Sequence, residues 1–211
     1  MNCRWLMPIV ALGMLCACAM PQVYNTSQER VISLKPGDLS TYGVAFITPS
    51  SVTGQEEEKQ EVALTFAEVM KKERTNIPCV TLPETINAIN QAGFSEDYKR
   101  MYADYRDTGI FNRDILRKIG EATKTRYVAQ IKLMSFSQGR EDRFGVFGLR
   151  LVDTKYANLR LFFQIWNTAD GSIAWEGSQE IRLARDTMTE KQVTQKTIVE
   201  KAAHDIVVKL P

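Results

Sequence analysis

Residues 157–177, ANLRLFFQIWNTADGSIAWEG, constrain the fold of this chain more than any other segment. Residues 159–166 form a nearly continuous apolar run, which is typical of a strand buried on both faces of a sheet. Asp170 and Gly171 then give a turn signal, because glycine adopts a positive φ without strain. The alternating residues that follow predict a returning strand. We therefore expect a central hairpin that helices from elsewhere in the chain cover.

The length and composition of the chain are typical of one folded domain. It has 211 residues, of which 44% are apolar and 25% are charged. A domain of this size buries enough apolar surface to be stable without disulfides. The 27 lysines and arginines are nearly balanced by 25 aspartates and glutamates, so the net charge is only +2. The chain therefore lacks the basic field that nucleic-acid binding or charge-driven membrane binding requires.

The first residues have the pattern of a bacterial lipoprotein signal peptide. A short positive region precedes an apolar stretch that is too short for a stable transmembrane helix. Leu15, Ala17 and Cys18 then resemble the lipoprotein cleavage motif, in which the cysteine is lipidated and begins the mature protein. Cys16 fits this motif poorly, because leucine would directly precede the cut. We expect a signal peptide over residues 1–17 and a lipid, such as palmitate, on Cys18; the alternative is plain secretion with cleavage nearby.

The residues after the lipidation motif indicate the membrane and the start of the domain. Ala19 follows Cys18, and the absence of aspartate at this position favours the periplasmic side of the outer membrane. Residues 18–40 are polar and irregular, and they contain prolines and a turn signal, so we expect a flexible tether there. The periplasmic domain then occupies residues 41–211.

Apolar periodicity divides the domain into elements in the order β-α-β-α-α-α-β-β-β-α. Parallel strands need crossover connections, whereas strands joined by short turns pair antiparallel. The expected fold class is α/β with a mixed (α+β) sheet in a three-layer-like domain. β-α-β units come first, antiparallel strands follow, and a C-terminal amphipathic helix covers them.

Three tyrosines, Tyr98, Tyr102 and Tyr105, recur at helical spacing among acidic and basic residues. One interpretation is an exposed face that binds a ligand such as a glycan. The other, which we favour, is an amphipathic helix packed on the domain through its tyrosines. The ring of a tyrosine suits an apolar contact, and its hydroxyl finds a polar partner when it is buried.

Residues 139–158 join the third predicted strand to the central hairpin and combine arginine with phenylalanine. Both residue types are enriched at protein interfaces. We therefore expect this segment to face a partner through four candidate contact residues: Arg143, Phe144, Phe147 and Arg150. The alternative is that residues 144–152 continue the sheet as one more strand. Both hold if that strand pairs with a neighbouring subunit along an exposed edge.

The sequence shows no catalytic, cofactor or metal site. His204 is the single histidine and lies beside the apolar stripe of the last helix, so a histidine-dependent catalytic site has one candidate at most. Cys79 lies in a strand-like run and is expected to be a buried, inert thiol. Glycine motifs that bind phosphate are absent. We expect no enzymatic activity; a hydrolase built from two distant acids is the alternative.

The layout resembles the periplasmic lipoprotein domain shared by the curli secretion lipoprotein, the Pel exopolysaccharide lipoprotein and the lipoprotein activator of peptidoglycan synthases. The resemblance covers about residues 42–210 and rests on the patterns YGVAFITP, NRDILRKIGEATKTRYVAQIKL and LRLFFQIWNTADGSIAWEG. The chain departs from the curli protein, because residues 139–158 show no long pair of alternating strands. The resemblance implies a mixed-sheet α/β domain, no catalysis and a role in an envelope assembly, often as an oligomer.

Two functions of different classes follow from these patterns. The first is a non-enzymatic scaffold or partner in envelope export, secretion or biogenesis. Such a protein would contact the membrane through its lipid, and it would contact envelope proteins, further copies of itself among them. The second is a periplasmic module that binds glycan or peptidoglycan, or regulates a synthase, through the tyrosine face.

Overall fold

A mixed seven-stranded sheet with helices on both faces forms the domain. This computed structural model describes residues 22–51, 56–146, 149–187 and 193–211, without the side chains of residues 51–58, 142–153 and 186–192. The strands are β1 (Gln22–Val31), β2 (Val44–Phe46), β3 (Ser50–Ser51), β4 (Cys79–Val80), β5 (Tyr127–Val146), β6 (Leu149–Asn167) and β7 (Ile173–Thr187). The described helices are α1 (Asp38–Tyr42), α2 (Glu56–Glu73), α3 (Leu82–Gln91), α4 (Ser95–Thr108), α5 (Arg113–Thr123) and α6 (Gln195–Val207).

The strands lie in the order β1-β7-β6-β5-β2-β4, and β3 pairs with β5. β2 runs parallel to β4 and β5, with helices in the connections between them. β5, β6, β7 and β1 are mutually antiparallel neighbours. The predicted fold class is therefore confirmed: β-α-β units come first, antiparallel strands follow, and a terminal helix packs on the sheet.

The helices cover one face of the antiparallel strands and leave part of the other face open. α2 and α6 pack on the first face, where Phe66 stacks on Phe163 with ring centroids 5.3 Å apart. α3, α4 and α5 pack on the second face beside β2, β5 and the end of β6. The prediction that residues 159–166 are buried on both faces is wrong, because Arg160 is exposed and Phe162 is half-buried where the second layer of helices ends.

Glycines in the recognised sequence patterns are sites of close packing. A Cβ on Gly177 would lie 2.5 Å from the indole of Trp175, and a Cβ on Gly120 of α5 would lie 2.8 Å from the Cβ of Thr168. Gly171 has φ of 75°, as the predicted turn requires. Trp175 is 1% exposed and belongs to the core cluster that contains the inward residues of α6. The returning strand of the predicted hairpin is thus held in place where the Gly177 backbone lies against the indole of Trp175.

β1 takes the place of most of the flexible tether that the sequence predicted over residues 18–40. All ten of its residues pair antiparallel with β7. Leu34 and Leu39 follow and lie in the core. The tether prediction is therefore wrong from Gln22 onward, and the reason is that an edge strand with both faces in water has no apolar alternation to reveal it. Cys18 and the predicted signal peptide lie outside the described residues, so both stay predictions.

β5 and β6 form a hairpin of 20 and 19 residues, so the expected absence of a long strand pair is wrong. The backbone of residues 139–146 and 149–158 continues the sheet, as the strand alternative predicted. β7 accompanies the hairpin as far as Thr187, which lies opposite Asp153. Beyond that level, residues 149–152 pair only with β5 within the described part of the chain. Among the described residues, the end of the hairpin therefore extends past β7.

Candidate functional site

The structure places only some of the site residues that the sequence predicts. Cys18 and Phe147 lie outside the described residues. Arg143 and Phe144 belong to β5 and Arg150 belongs to β6, but their side chains also lie outside the description. A role of these four hairpin residues in partner contact stays a prediction.

The tyrosines of α4 pack toward the sheet. The Tyr102 hydroxyl donates to the carbonyl oxygen of Thr48 at 2.6 Å, and the Tyr98 hydroxyl accepts from the Thr48 amide at 3.0 Å. Tyr105 stacks on Phe111 with ring centroids 4.1 Å apart. Tyr98 and Tyr102 thus hold the loop after β2, whereas Tyr105 packs on Phe111, and this arrangement corresponds to the packing alternative.

Burial also fixes the protonation of these phenols. It raises the pKa of Tyr102 well above its ordinary value, and it raises the pKa of Tyr105 as well. Both hydroxyls therefore stay protonated at neutral pH and act as donors, not as bases or nucleophiles. A ligand face built from these rings would have to use the hydroxyls of Tyr98 and Tyr102, which are already engaged with Thr48.

Cys79 and His204 are the potentially reactive side chains that the sequence singled out. Burial raises the pKa of Cys79 to about 11, so its thiol stays protonated, in agreement with an inert cysteine. His204 of α6 has its Nδ1 3.6 Å from Oε1 of Glu73, in a hollow of about 470 Å³ between α2 and α6. In the part of the chain that the structure describes, no three metal-ligating side chains converge.

No helix in the described ranges has the length and apolar content needed to cross a membrane.

The open face of β1, β7 and β6 carries a shallow hollow of about 340 Å³. Phe162 of β6 lines it together with Gln28, Arg30, Glu176 and Ser178. An aromatic ring beside an acid, an arginine and an amide suits a sugar, because the ring contacts its apolar face while the polar groups bind its hydroxyls. This hollow therefore has the composition of a site for a small polar ligand.

The root of the β5–β6 hairpin is braced on the same open face. The ring of Tyr156 lies over Gly139, where any Cβ would come 2.5 Å from the ring atom Cζ. The Arg182 guanidinium stacks on that ring at 4.8 Å and donates to Glu141 at 3.1 Å. These contacts join β5, β6 and β7, so they stiffen the hairpin before it projects. A glycine paired with an aromatic residue on the next strand was the sequence signal for this contact, and our reading of the sequence missed it.

β1 is the second feature that sequence reasoning missed. It is the outermost strand of the sheet, and large apolar side chains are exposed on it and directly after it: Val23, Tyr24, Val31 and Ile32. Tyr24 is 65% exposed and Val31 is 58% exposed. Exposed apolar side chains in a group indicate a contact surface more strongly than scattered ones do.

No protein-family model and no curated protein matches the chain significantly. Among solved structures, a PelC dodecamer from Paraburkholderia phytofirmans is 11% identical, with a TM-score of 0.40 over 89% of this chain and 94% of that chain. Lipoprotein GNA1162 from Neisseria meningitidis is 12% identical, with a TM-score of 0.40 over 79% of this chain and 96% of that chain.

The LpoB C-terminal domain from Salmonella enterica is likewise 12% identical, with a TM-score of 0.34 over 65% of this chain and 81% of that chain. PelC and LpoB correspond to lipoproteins of the group that the sequence resembles, so that resemblance is confirmed. Because the TM-scores all lie below 0.5, the function is argued from the residues of this chain alone.

Proposed function

We propose that this chain is a lipid-anchored, non-enzymatic protein on the periplasmic face of the outer membrane. It would serve as a scaffold or partner in an envelope export or biogenesis assembly. The observation that carries the proposal is the short distance in sequence between the lipidation motif and the sheet. β1 begins at Gln22, four positions after Cys18. Four extended residues span at most about 14 Å, so a lipid on Cys18 would hold the domain against the bilayer.

The chemistry of the described residues supports a structural role. Cys79, Tyr102 and Tyr105 are protonated at neutral pH, and their surroundings do not activate them. The open features are a polar sheet face, an edge strand and a projecting hairpin. Each of these offers contact area without a reactive group, as expected of a protein that holds partners in place.

Changing the anchor tests the proposal. In bacteria that receive labelled palmitate, the native chain should carry label and fractionate with the outer membrane. Cys18→Ala should lose the label and appear in the soluble periplasmic fraction or remain as an uncleaved precursor. Cys16→Ala is the matched control and should behave as the native chain. An unlabelled native chain in the soluble fraction would contradict the anchoring.

The projecting hairpin is the segment that we assign to partner contact. Its support is that the first residues of β6 extend past the last described residue of β7, while the bracing at its root holds it in one direction. The triple variant Arg143→Ser, Phe147→Ser and Arg150→Ser should keep a near-native melting temperature and lose assembly in the envelope. A misfolded product would show instead that these side chains belong to the core.

A second triple variant controls for the loss of two arginines and one apolar residue from the surface. Arg100→Ser, Ile110→Ser and Arg117→Ser remove the same residue classes from exposed positions of the helical layer. This control should fold and assemble normally. If the hairpin variant also folds and assembles as the native chain does, the hairpin is not the partner segment.

The second candidate function is glycan or peptidoglycan binding at the hollow beside Phe162, and the composition of that hollow favours it. Native protein should bind soluble peptidoglycan fragments in calorimetry, and Phe162→Ala should lose most of that affinity because the stacking surface is gone. Tyr102→Phe would remove one hydroxyl from the tyrosine face and leave binding unchanged. Absence of binding by the native chain would remove this candidate.

A further inference from the structure

β1 is an edge strand with few of the features that ordinarily keep edge strands unpaired, although the Lys209 ammonium donates to the Ser27 hydroxyl near its middle. It has ten residues, pairs with β7 without a register shift, and contains neither proline nor lysine. Natural edges are usually short, bulged, charged with lysine, or covered. The opposite edge, β4, has only two residues. Within the described ranges, β7 is the only strand that pairs with β1, so its outer side presents a row of backbone donors and acceptors.

Exposed apolar side chains concentrate at this edge. Val23 is 42% exposed and Ile32 is 50% exposed, and Tyr24 and Val31 are more exposed still. These residues are four of the eight large apolar side chains that are exposed in the described part of the chain. This concentration is expected where the solvated strand of a monomer becomes buried in an interface.

The hydrogen bonds of β1 establish which residues present their backbone outward. The Ile32 amide donates to the carbonyl of Ala174 at 3.0 Å, directly after the pair of Val31 with Trp175. In an antiparallel ladder this makes Val31 a non-hydrogen-bonded partner of Trp175, so its own N–H and C=O point away from β7. By alternation, the outward groups belong to five residues: Val23, Asn25, Ser27, Glu29 and Val31.

A second copy of the same strand complements this edge in one register. Outward residues must face outward residues, so an antiparallel pair of identical strands matches odd positions with odd positions. Centring the pair on Ser27 sets Val23 against Val31 of the second copy. It also sets Tyr24 against Arg30 of the second copy, where a guanidinium stacks favourably on the ring.

The neighbouring registers are less complementary. Centring on Thr26 would set Val23 against Glu29 of the second copy. Centring on Gln28 would set Val31 against Asn25 of the second copy. Both arrangements place an exposed valine beside a polar side chain and separate the tyrosine from the arginine, so the Ser27 register is preferred.

We propose that two copies of this chain pair antiparallel through β1, centred on Ser27, and join their sheets into one. Residues 23–31 of each copy would form about ten backbone hydrogen bonds across a two-fold axis. This pairing goes beyond the proposed envelope role and does not require the lipid. It is compatible with two anchors, because a two-fold axis normal to the bilayer puts both Gln22 residues, about 34 Å apart, on the same side.

Cysteine pairs test the register. Thr26 faces Gln28 of the second copy at a non-hydrogen-bonded site, where Cα atoms lie about 4.5 Å apart and a disulfide fits. Full-length Thr26→Cys and Gln28→Cys chains with different tags are expressed in one bacterial strain and oxidised. A covalent heterodimer is expected on a non-reducing gel. Either variant alone should give none, and the native chain with its half-buried Cys79 sets the baseline.

Each other outcome of that experiment overturns the proposal. A homodimer of Thr26→Cys alone would centre the pair on Thr26, and a homodimer of Gln28→Cys alone would centre it on Gln28. Absence of the heterodimer from co-expressed, folded and membrane-extracted chains would show that these edges do not meet.

A second variant makes the test independent of disulfide chemistry. Val23→Lys with Val31→Lys sets like charges together where two apolar side chains should meet. The dimer dissociation constant, measured in detergent by sedimentation, should rise at least about tenfold. Ile110→Lys, at a position 65% exposed, is the matched control and should leave it unchanged. A native chain that stays monomeric, or a double variant as dimeric as the native chain, would contradict the pairing.

Discussion

Replacing Trp175 by alanine tests which contacts hold the antiparallel part of the domain together. The side chain is 1% exposed, lies across Gly177 and packs edge-on against Phe163 at 6.0 Å. Phe163 in turn stacks on Phe66 of α2. The indole therefore connects β7 to β6 and to the helix layer, and its removal leaves a cavity that a dense core fills only partly.

The expected loss follows from these contacts. Truncating a buried tryptophan to alanine lowers the free energy of unfolding by about 3–5 kcal/mol. The indole N–H of Trp175 has no hydrogen-bond partner among the described residues, so the loss arises from packing alone. Trp175→Phe keeps an aromatic ring and removes that unpaired donor, so we expect it to cost only about 1–2 kcal/mol.

Urea denaturation followed by far-UV circular dichroism measures both values. Ile110→Ala, at a position 65% exposed, is the control and should change stability by less than about 0.5 kcal/mol. Trp166 is 3% exposed and remains in the variants, so its blue-shifted fluorescence reports that they are folded. A loss below about 1.5 kcal/mol for the alanine variant, or an equal loss for the phenylalanine variant, would refute the packing argument.

Three further predictions concern individual contacts. Gly120→Ala should destabilise the domain by about 1–3 kcal/mol in the same assay, because its Cβ would press against Thr168. Cys79 should resist a thiol reagent at pH 8 in the native chain and react after unfolding, because burial raises its pKa to about 11; rapid native reaction would contradict this. The hydrogen bond from Ser172 lowers the pKa of Asp170, so its stabilisation is present above pH 3.8 and is lost as the pH falls through the folded pKa. Asp170→Asn should therefore lose less stability than the native chain between pH 6 and pH 3, and an equal loss would refute it.

The central hairpin and the helices were predictable because their side chains alternate between core and solvent. The inward residues of β6 and α6 are buried in one cluster, and the apolar pattern shows both periods. Asp170 and Gly171 were equally clear, because the turn uses a carboxylate that accepts from Ser172 and a glycine at positive φ. In these segments, local preference and tertiary structure agree.

β1 and the outer half of the β5–β6 hairpin were not predictable from the same signals. Both faces of β1 are exposed, so polar residues fill positions 25–30 and no apolar period appears. The segment after Phe136 contains a glycine and several charges, which lower its strand propensity. Contacts with the neighbouring strands stabilise this segment as a strand in spite of its low propensity, and the contact of Gly139 with Tyr156 is an example. Such contacts join residues far apart in the chain, and periodicity within one segment does not report them.

The sequence patterns that carry the resemblance contain residues that are required for packing in the core. These patterns therefore indicate the fold of this chain and not its function. Gly120 lies against Thr168, and Gly177 lies under Trp175, so a side chain at either glycine would disturb the core whichever partner the protein binds. β1 lies at the sheet edge with its side chains outside the core, so substitutions there leave the core intact. The projecting hairpin end is the segment that we assign to partner contact. Chains with this layout can therefore keep one fold and differ in partner. The residues that determine the partner of this protein are accordingly expected in those two segments, where the recognisable patterns are weakest.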